Sequence, residues 1–354
     1  MTTPRRVLVT GAGGFIGHHL VSHLRTEGHW VRGVDLKHPE YAPSDADEFQ
    51  IRDLRTPDHA RAATRGVDDV YALAADMGGM GYISSHHATI LHNNALINLN
   101  TLEAARLNGV SRYLYTSSAC VYPEYKQTDT AVTALKEEDA YPAQPQDAYG
   151  WEKLVTERLC THYREDHGLE TRIVRFHNIF GPLGTWNGGR EKAPAAICRK
   201  VAIAKLTGQD EIEIWGDGEQ TRSFCYIDDC LDGLTRLMAS GYQDPLNLGQ
   251  DRLVTINQLA DIVCATAGVT LAKRHIPGPQ GVRGRNSDNT RARGVLGWEP
   301  RISLEDGLSR TYVWIESQVR HAIADRGMRV ADSSRHSAVG SPQSTIRNPQ
   351  SAIS

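Results

Sequence analysis

The chain has no excess of basic charge: 39 lysines and arginines stand against 42 aspartates and glutamates, for a formal net charge of -3. A nucleic-acid binder draws on such an excess to neutralise phosphates, so nucleic acid is excluded as the main partner. No apolar run approaches the roughly 20 residues that a membrane-spanning helix needs. The first six residues lead straight into a strand pattern and leave no room for a signal peptide. The six cysteines (Cys120, Cys160, Cys198, Cys225, Cys230, Cys264) show no CxxC spacing. They read as reduced thiols of a cytosolic protein, not as a disulfide frame. Internal repeats are absent too. His86, His87 and His92 cluster without an acid or cysteine at ligand spacing, which argues against a metal site.

What is present is enough for a large fold. At 354 residues, 40% hydrophobic and 23% charged, the chain can form two domains. The β-branched run from Arg6 to Thr10 fits a buried parallel strand. Gly11, Gly14, Phe15, Ile16 and Gly17 follow at once and lead into an amphipathic helix through Leu20 and Leu24. Strand, glycine turn and helix start together offer backbone N–H groups and a positive helix end to a pyrophosphate. A second strand, Trp30 to Asp35, ends in an acid at the distance a dinucleotide fingerprint expects. Asp35 would accept from a ribose and repel a 2′-phosphate, which favours NAD over NADP; Lys37 and Arg32 act against that preference. Asp53 and Leu54, after a short strand at Phe49 to Ile51, are placed to bracket the adenine.

The alternation continues with a strand at Val67 to Ala75, a glycine-rich loop from Asp76 to Gly81 and a long helix from His86 to Leu107. Asn93 and Asn94 sit in that helix as poor helix formers, which points to a polar contact. A polar, proline-containing segment from Lys126 to Gln146 reads as a surface loop. A helix from Tyr149 to Glu165 and a strand from Thr171 to Phe176 follow. The pattern breaks near Gly181. Beyond it lie a helix opened by Pro194, a hairpin of Glu211–Trp215 with Gln220–Cys225, and a helix from Tyr226 to Met238. A short strand at Asn247 to Gly249, a helix from Ile256 to Ala267 and a final helix from Leu304 to about Val319 complete the pattern. The turn-rich run from Pro277 to Asp288 carries Arg283 and Arg285, which suit a phosphate clamp. The expected fold class is α/β: a Rossmann-type doubly wound parallel sheet with a smaller C-terminal α/β substrate lobe. Residues 1–180 form the NAD-binding domain, with 226–250 returning to it. Residues 181–320 form the lobe, and the polar residues 325–354 a disordered tail.

The chemistry gathers around Thr116–Pro123 and Tyr149–Lys153. Residues i and i+4 of a helix share a face, so Tyr149 and Lys153 can act on one substrate. A lysine beside a phenol favours the phenolate, which would bring Tyr149 toward neutrality as a proton-transfer group. Ser118 and Cys120 come off the preceding strand end. Lys192 stands at the start of a helix, where a cation is unfavourable without a functional reason.

Gly11-x-x-Gly14-x-x-Gly17, Ser118 and Tyr149-x-x-x-Lys153, in this order, resemble the extended short-chain dehydrogenase/reductase superfamily. That resemblance implies a homodimer joined through the helix beginning at Tyr149 and the helix over Ala88 to Leu107. Longer blocks resemble its GDP-mannose 3,5-epimerase branch: Ala75 to Gly81, Ser117 to Glu124, Arg175 to Asn178, Gly188 to Ala195 and Gly281 to Asp288. The likeness implies GDP-mannose as substrate, oxidised transiently at C4 with NAD, epimerised at C5 and C3 and reduced again. It makes Cys120 and Lys192 the acid/base pair and gives Tyr149, Lys153 and Ser118 to the redox step. Gly78, Ser118, Asn178, Glu191, Lys192, Lys200, Gln220, Arg222 and Arg285 are implied as nucleotide-sugar contacts. A 4-epimerase or a 4,6-dehydratase acting on another nucleotide-sugar is the alternative.

Overall fold

The computed structural model describes residues 3–279 and 281–326; the tail expected beyond 325 lies, from residue 327 on, outside them, as does Gln280. Six strands open the sheet: β1 (Arg6–Thr10), β2 (Trp30–Asp35), β3 (Glu48–Ile51), β4 (Asp69–Ala72), β5 (Arg112–Ser118) and β6 (Glu170–Phe176). A seventh strand, Pro245–Leu248, pairs with β6, and the order is Pro245–Leu248, β6, β5, β4, β1, β2, β3. Every pairing is parallel. The strand order reverses between β1 and β4, so the carboxyl ends there open the crevice in which doubly wound sheets bind ligands.

Six helices position the site: α1 (Phe15–Thr26), α2 (Pro57–Ala63), α3 (Met80–Ile83), α4 (His87–Leu107), α5 (Ala148–His167) and α6 (Ala193–Thr207). A core built on Leu8, Val70, Leu102 and Ile173 lies on the α2, α4 and α5 side of the sheet. A second core runs from Val7, Leu20 and Val174 through the helix Ile227–Ala239 into α6, Ile256–Ala267 and Leu304–Arg326. The shared core joins the sheet to the smaller lobe without a polar seam.

Three expectations are corrected. The hairpin does not form: Glu211–Trp215 pairs in parallel with Ala272–Ile276, while Thr221–Arg222 lies between Val254–Thr255 and Gly284–Arg285. Arg274 bonds both Glu211 and Glu213 and holds the parallel pair, and the turn at Gly216 and Gly218, both at positive φ, leads the chain away. The segment 126–146 is not a simple surface loop, since Gln127, Leu135, Glu137 and Ala140 are buried. The last helix extends to Arg326 instead of ending near Val319. No described helix is long and apolar enough to cross a membrane.

Candidate active site

The turn after β1 is shaped for close approach. Gly11 has φ +71°, and a Cβ on Gly17 would stand 2.1 Å from the Gly11 carbonyl oxygen, so α1 reaches the turn only through glycine. Asp35 closes β2 and accepts the Gly13 N–H at 2.9 Å, which ties the acid to the turn. Arg32 does not oppose NAD here: it is buried, paired with Glu48 at 2.9 Å and bonded to the carbonyls of Ala63 and Arg65. Lys37 pairs with Glu40 at 3.1 Å. A glycine cradle and an acid at the end of β2 fit a dinucleotide. Asp53 is occupied by Arg55 at 2.6 Å, and Leu54 is buried in the core, where its carbonyl accepts from Asn100.

Asn93 and Asn94 find the contact left open in the sequence. Asn94 Oδ1 accepts the Asp76 N–H at 2.6 Å and Asn93 Nδ2 donates to the Asp76 carboxylate at 2.9 Å. Asp76 also accepts from the Tyr82 hydroxyl at 2.9 Å. Across the crevice Arg190 lies 3.8 Å from Asp76 and 3.8 Å over the Tyr82 ring, and its carbonyl accepts the Gly79 N–H at 3.0 Å. The glycine-rich loop, with Gly78 in it, is therefore clasped to the strand of chain that carries Lys192. His86 stacks on Tyr82, and among the described residues no group of three His, Cys, Asp or Glu could hold a metal.

At the end of β5 the Ser118 hydroxyl accepts the Cys120 N–H at 3.2 Å and caps a 3-10 turn over Ala119–Val121. Asp147 caps α5 by accepting the Gly150 N–H at 2.8 Å. A Cβ on Gly150 would lie 2.2 Å from the Cys120 carbonyl oxygen, so this glycine lets α5 press Tyr149 against the Cys120 turn. Burial raises the Tyr149 pKa well above 10, while a hydrogen bond from Ser118 acts in the lowering direction. The lowering expected from Lys153 is not what the geometry delivers. Lys153 Nζ donates to the Thr116 carbonyl at 2.9 Å and stands 5.5 Å from the Tyr149 ring. Lys153 is itself lowered, by burial first.

Lys192 caps α6, and its pKa is lowered chiefly by desolvation, with Cys120 acting in the raising direction. Lys192 is exposed, and the protein crowding its ammonium is the largest cause of that lowering. The two lobes thus bring Cys120 and Lys192 within electrostatic reach. Arg285 donates from Nη1 to Cys120 Sγ at 3.3 Å. Arg283 pairs with Asp217 at 2.7 Å, so the two arginines of the turn-rich run do not form one clamp. Arg222, whose pKa is pushed down to about 9 by burial and by Arg285, bonds the Val282 carbonyl at 2.7 Å.

The remaining expected contacts are held by protein partners. Glu191 accepts from Arg199 in a buried pair at 2.9 Å and from the Gly189 N–H. Lys200 donates to the Glu213 carbonyl at 2.7 Å, and Gln220 Nε2 to that of Trp215 at 3.2 Å. Asn178 has φ +47° and bonds the Ser223 carbonyl. Behind the site, Glu157 and Arg175 form a buried pair at 2.6 Å, joined by Ser117 and Tyr122. His177 is structural, fully buried and bonded to Asn247 at 2.9 Å. Gln127, which binds Arg285, was not legible in the sequence, where it reads as one more polar loop residue.

A dinucleotide cradle, a Tyr–Lys pair on α5 and a substrate lobe across the crevice define an NAD-dependent α/β enzyme of the extended short-chain dehydrogenase/reductase class. Residues 7–249 match the model of the NAD dependent epimerase/dehydratase family, and the chain belongs to that family. It is 54% identical over 316 residues to GDP-mannose 3,5-epimerase 1 of Oryza sativa subsp. japonica, covering 89% of this chain and 82% of that protein. The corresponding identity to GDP-mannose 3,5-epimerase of Arabidopsis thaliana is 52%, over 89% and 83%. Among solved structures, UDP-glucose 4-epimerase of Thermotoga maritima superposes with a TM-score of 0.79 at 26% identity, over 89% of this chain and 99% of that one. UDP-glucuronic acid 4-epimerase of Bacillus cereus, in complex with UDP-glucuronic acid and NAD, superposes with a TM-score of 0.75 at 25% identity, over 88% and 99%.

Proposed function

We propose that this enzyme converts GDP-D-mannose to GDP-L-galactose, with GDP-L-gulose as the product of inversion at C5 alone. The observation that supports the reading is Cys120, bonded to Ser118 and within electrostatic range of both Tyr149 and Lys192. A sugar C–H is too weak an acid for any side chain, but one beside a ketone is far more acidic. NAD, held by the turn after β1 and by Asp35, supplies when bound the oxidation and re-reduction at C4. Tyr149 takes the C4 hydroxyl proton, with the Ser118 hydrogen bond and the positive charge that NAD would bring favouring its phenolate against burial, and Lys153 holds the tyrosine's surroundings through Thr116. C3 and C5 both flank C4, so one ketone acidifies both. Cys120 and Lys192 then remove and return protons from opposite faces, and each centre inverts.

Gly78, Asn178, Glu191, Lys200, Gln220, Arg222 and Arg285 frame the nucleotide-sugar in this reading, several of them by shaping the lobe. The division into a domain at 1–180 with 226–250, and a lobe at 181–320, goes with it. The exposed Leu91 and Leu99 on α4 and Trp151 and Val155 on α5, two helices packed side by side, favour a homodimer through that face. Six unpaired thiols favour the cytosol. Incubation with GDP-mannose in heavy water tests the reaction: deuterium is expected at C3 and C5 without accumulation of NADH. Product without label at those carbons would point instead to a 4-epimerase, which needs no second acid/base pair.

A further inference from the structure

Gln127 lies seven positions after Cys120 and is only 1% exposed. Its side-chain amide is fully committed. Nε2 donates to the carbonyls of Tyr122 and Pro123, each at 3.1 Å, which turns Oε1 toward Arg285. Arg285 Nε donates to that oxygen at 2.5 Å. The Gln127 carbonyl accepts the N–H groups of Arg283 at 2.9 Å and Gly284 at 3.3 Å, so the backbone joins the same two segments. The other arm of Arg285, Nη1, reaches Cys120 Sγ at 3.3 Å.

A guanidinium is planar and rigid, so an acceptor fixed on Nε also sets the direction of Nη1. Arginine has a long side chain with much rotamer freedom to lose, and an anchor already in place lowers that cost. We propose that Gln127 is a positioning residue: it holds the Arg285 guanidinium against Cys120 Sγ and so fixes the sulfur in the place the acid/base step uses. This rests on the proposed role of Cys120. Losing the anchor frees the guanidinium to swing away, so Nη1 no longer holds Sγ in place.

The test reads the thiol directly, on the full chain with NAD bound. Alkylation of Cys120 by iodoacetamide is followed by peptide mass spectrometry from about pH 6 to about pH 9. Gln127→Met is expected to shift the alkylation rate at neutral pH roughly tenfold downward, because Sγ loses its fixed partner. Arg285→Lys should move it at least as far, and the double variant no further than Arg285→Lys alone. In turnover, Gln127→Met should lower kcat with KM for GDP-mannose within about twofold. Where Gln127→Met does not yield folded, NAD-loaded protein, Gln127→Ala serves in its place. A folded variant with the wild-type alkylation profile, or a double variant whose shift is the sum of the two, would overturn the proposal. Failure of the epimerase reading shows separately, as absence of deuterium label with the unmodified enzyme.

Discussion

Arg285 and Cys120, 165 positions apart in sequence, meet at 3.3 Å between Nη1 and Sγ. The contact puts a permanent cation on the one cysteine of the six that is not fully buried. With Lys192 and Arg222 also within electrostatic range of the thiol, three cations from the smaller lobe converge on a residue carried by the sheet. Replacing Cys120 by alanine should lower the rate of epimerisation at least about a hundredfold, as expected for a general acid/base group. NAD should remain bound, because Cys120 is no part of the cradle. Absorbance of the cofactor released on denaturation checks the second point; loss of NAD would mean that the cysteine serves the fold.

Gly17→Ala should have the opposite signature. Its Cβ would press on the Gly11 carbonyl at 2.1 Å, a backbone atom that cannot turn aside. Displacing α1 from the turn removes the helix end that faces the pyrophosphate, so the purified variant is expected to carry little NAD. A variant that purifies with a full complement would show that the turn tolerates the displacement.

Arg175→Met breaks the buried pair with Glu157 and leaves that carboxylate without its hydrogen-bonded cation in the core. The expected loss of stability is about 3–5 kcal/mol, because an orphaned buried charge costs more than the pair contributes. Urea denaturation measures it. The double change Glu157→Gln with Arg175→Met should recover part of the loss, and a double variant less stable than Arg175→Met would contradict this reading.

His177 supplies a pH dependence. Burial lowers its pKa from 6.5 to about 3, so the folded protein keeps it neutral well into acid. The unfolded chain takes up the proton near pH 6.5, so its contribution is complete above that value and is lost progressively as pH falls toward 3. Over the whole window this amounts to about 5 kcal/mol. His177→Gln should flatten the fall in urea midpoint between pH 6.5 and pH 4. An unchanged slope would place the acid sensitivity elsewhere.

Much of the sheet and of the redox half of the site can be read along the chain, because both depend on local periodicity and short spacings. The β-branched run into Gly11, Gly14 and Gly17, the acid closing β2, and Tyr149 four residues before Lys153 are all within one element or one turn. Cys120 and Lys192 could be joined only through the resemblance, since their proximity depends on how the smaller lobe closes over the sheet. Tertiary packing alone decided the rest. Burial is the largest cause of the raised Tyr149 pKa and of the lowered Lys192 pKa. Arg285 meets the thiol because Gln127, which anchors it, is buried in a segment whose composition reads as surface loop. A polar side chain whose every hydrogen bond is satisfied inside the protein looks, in sequence, the same as one facing water; only the assembled fold shows which partners it has.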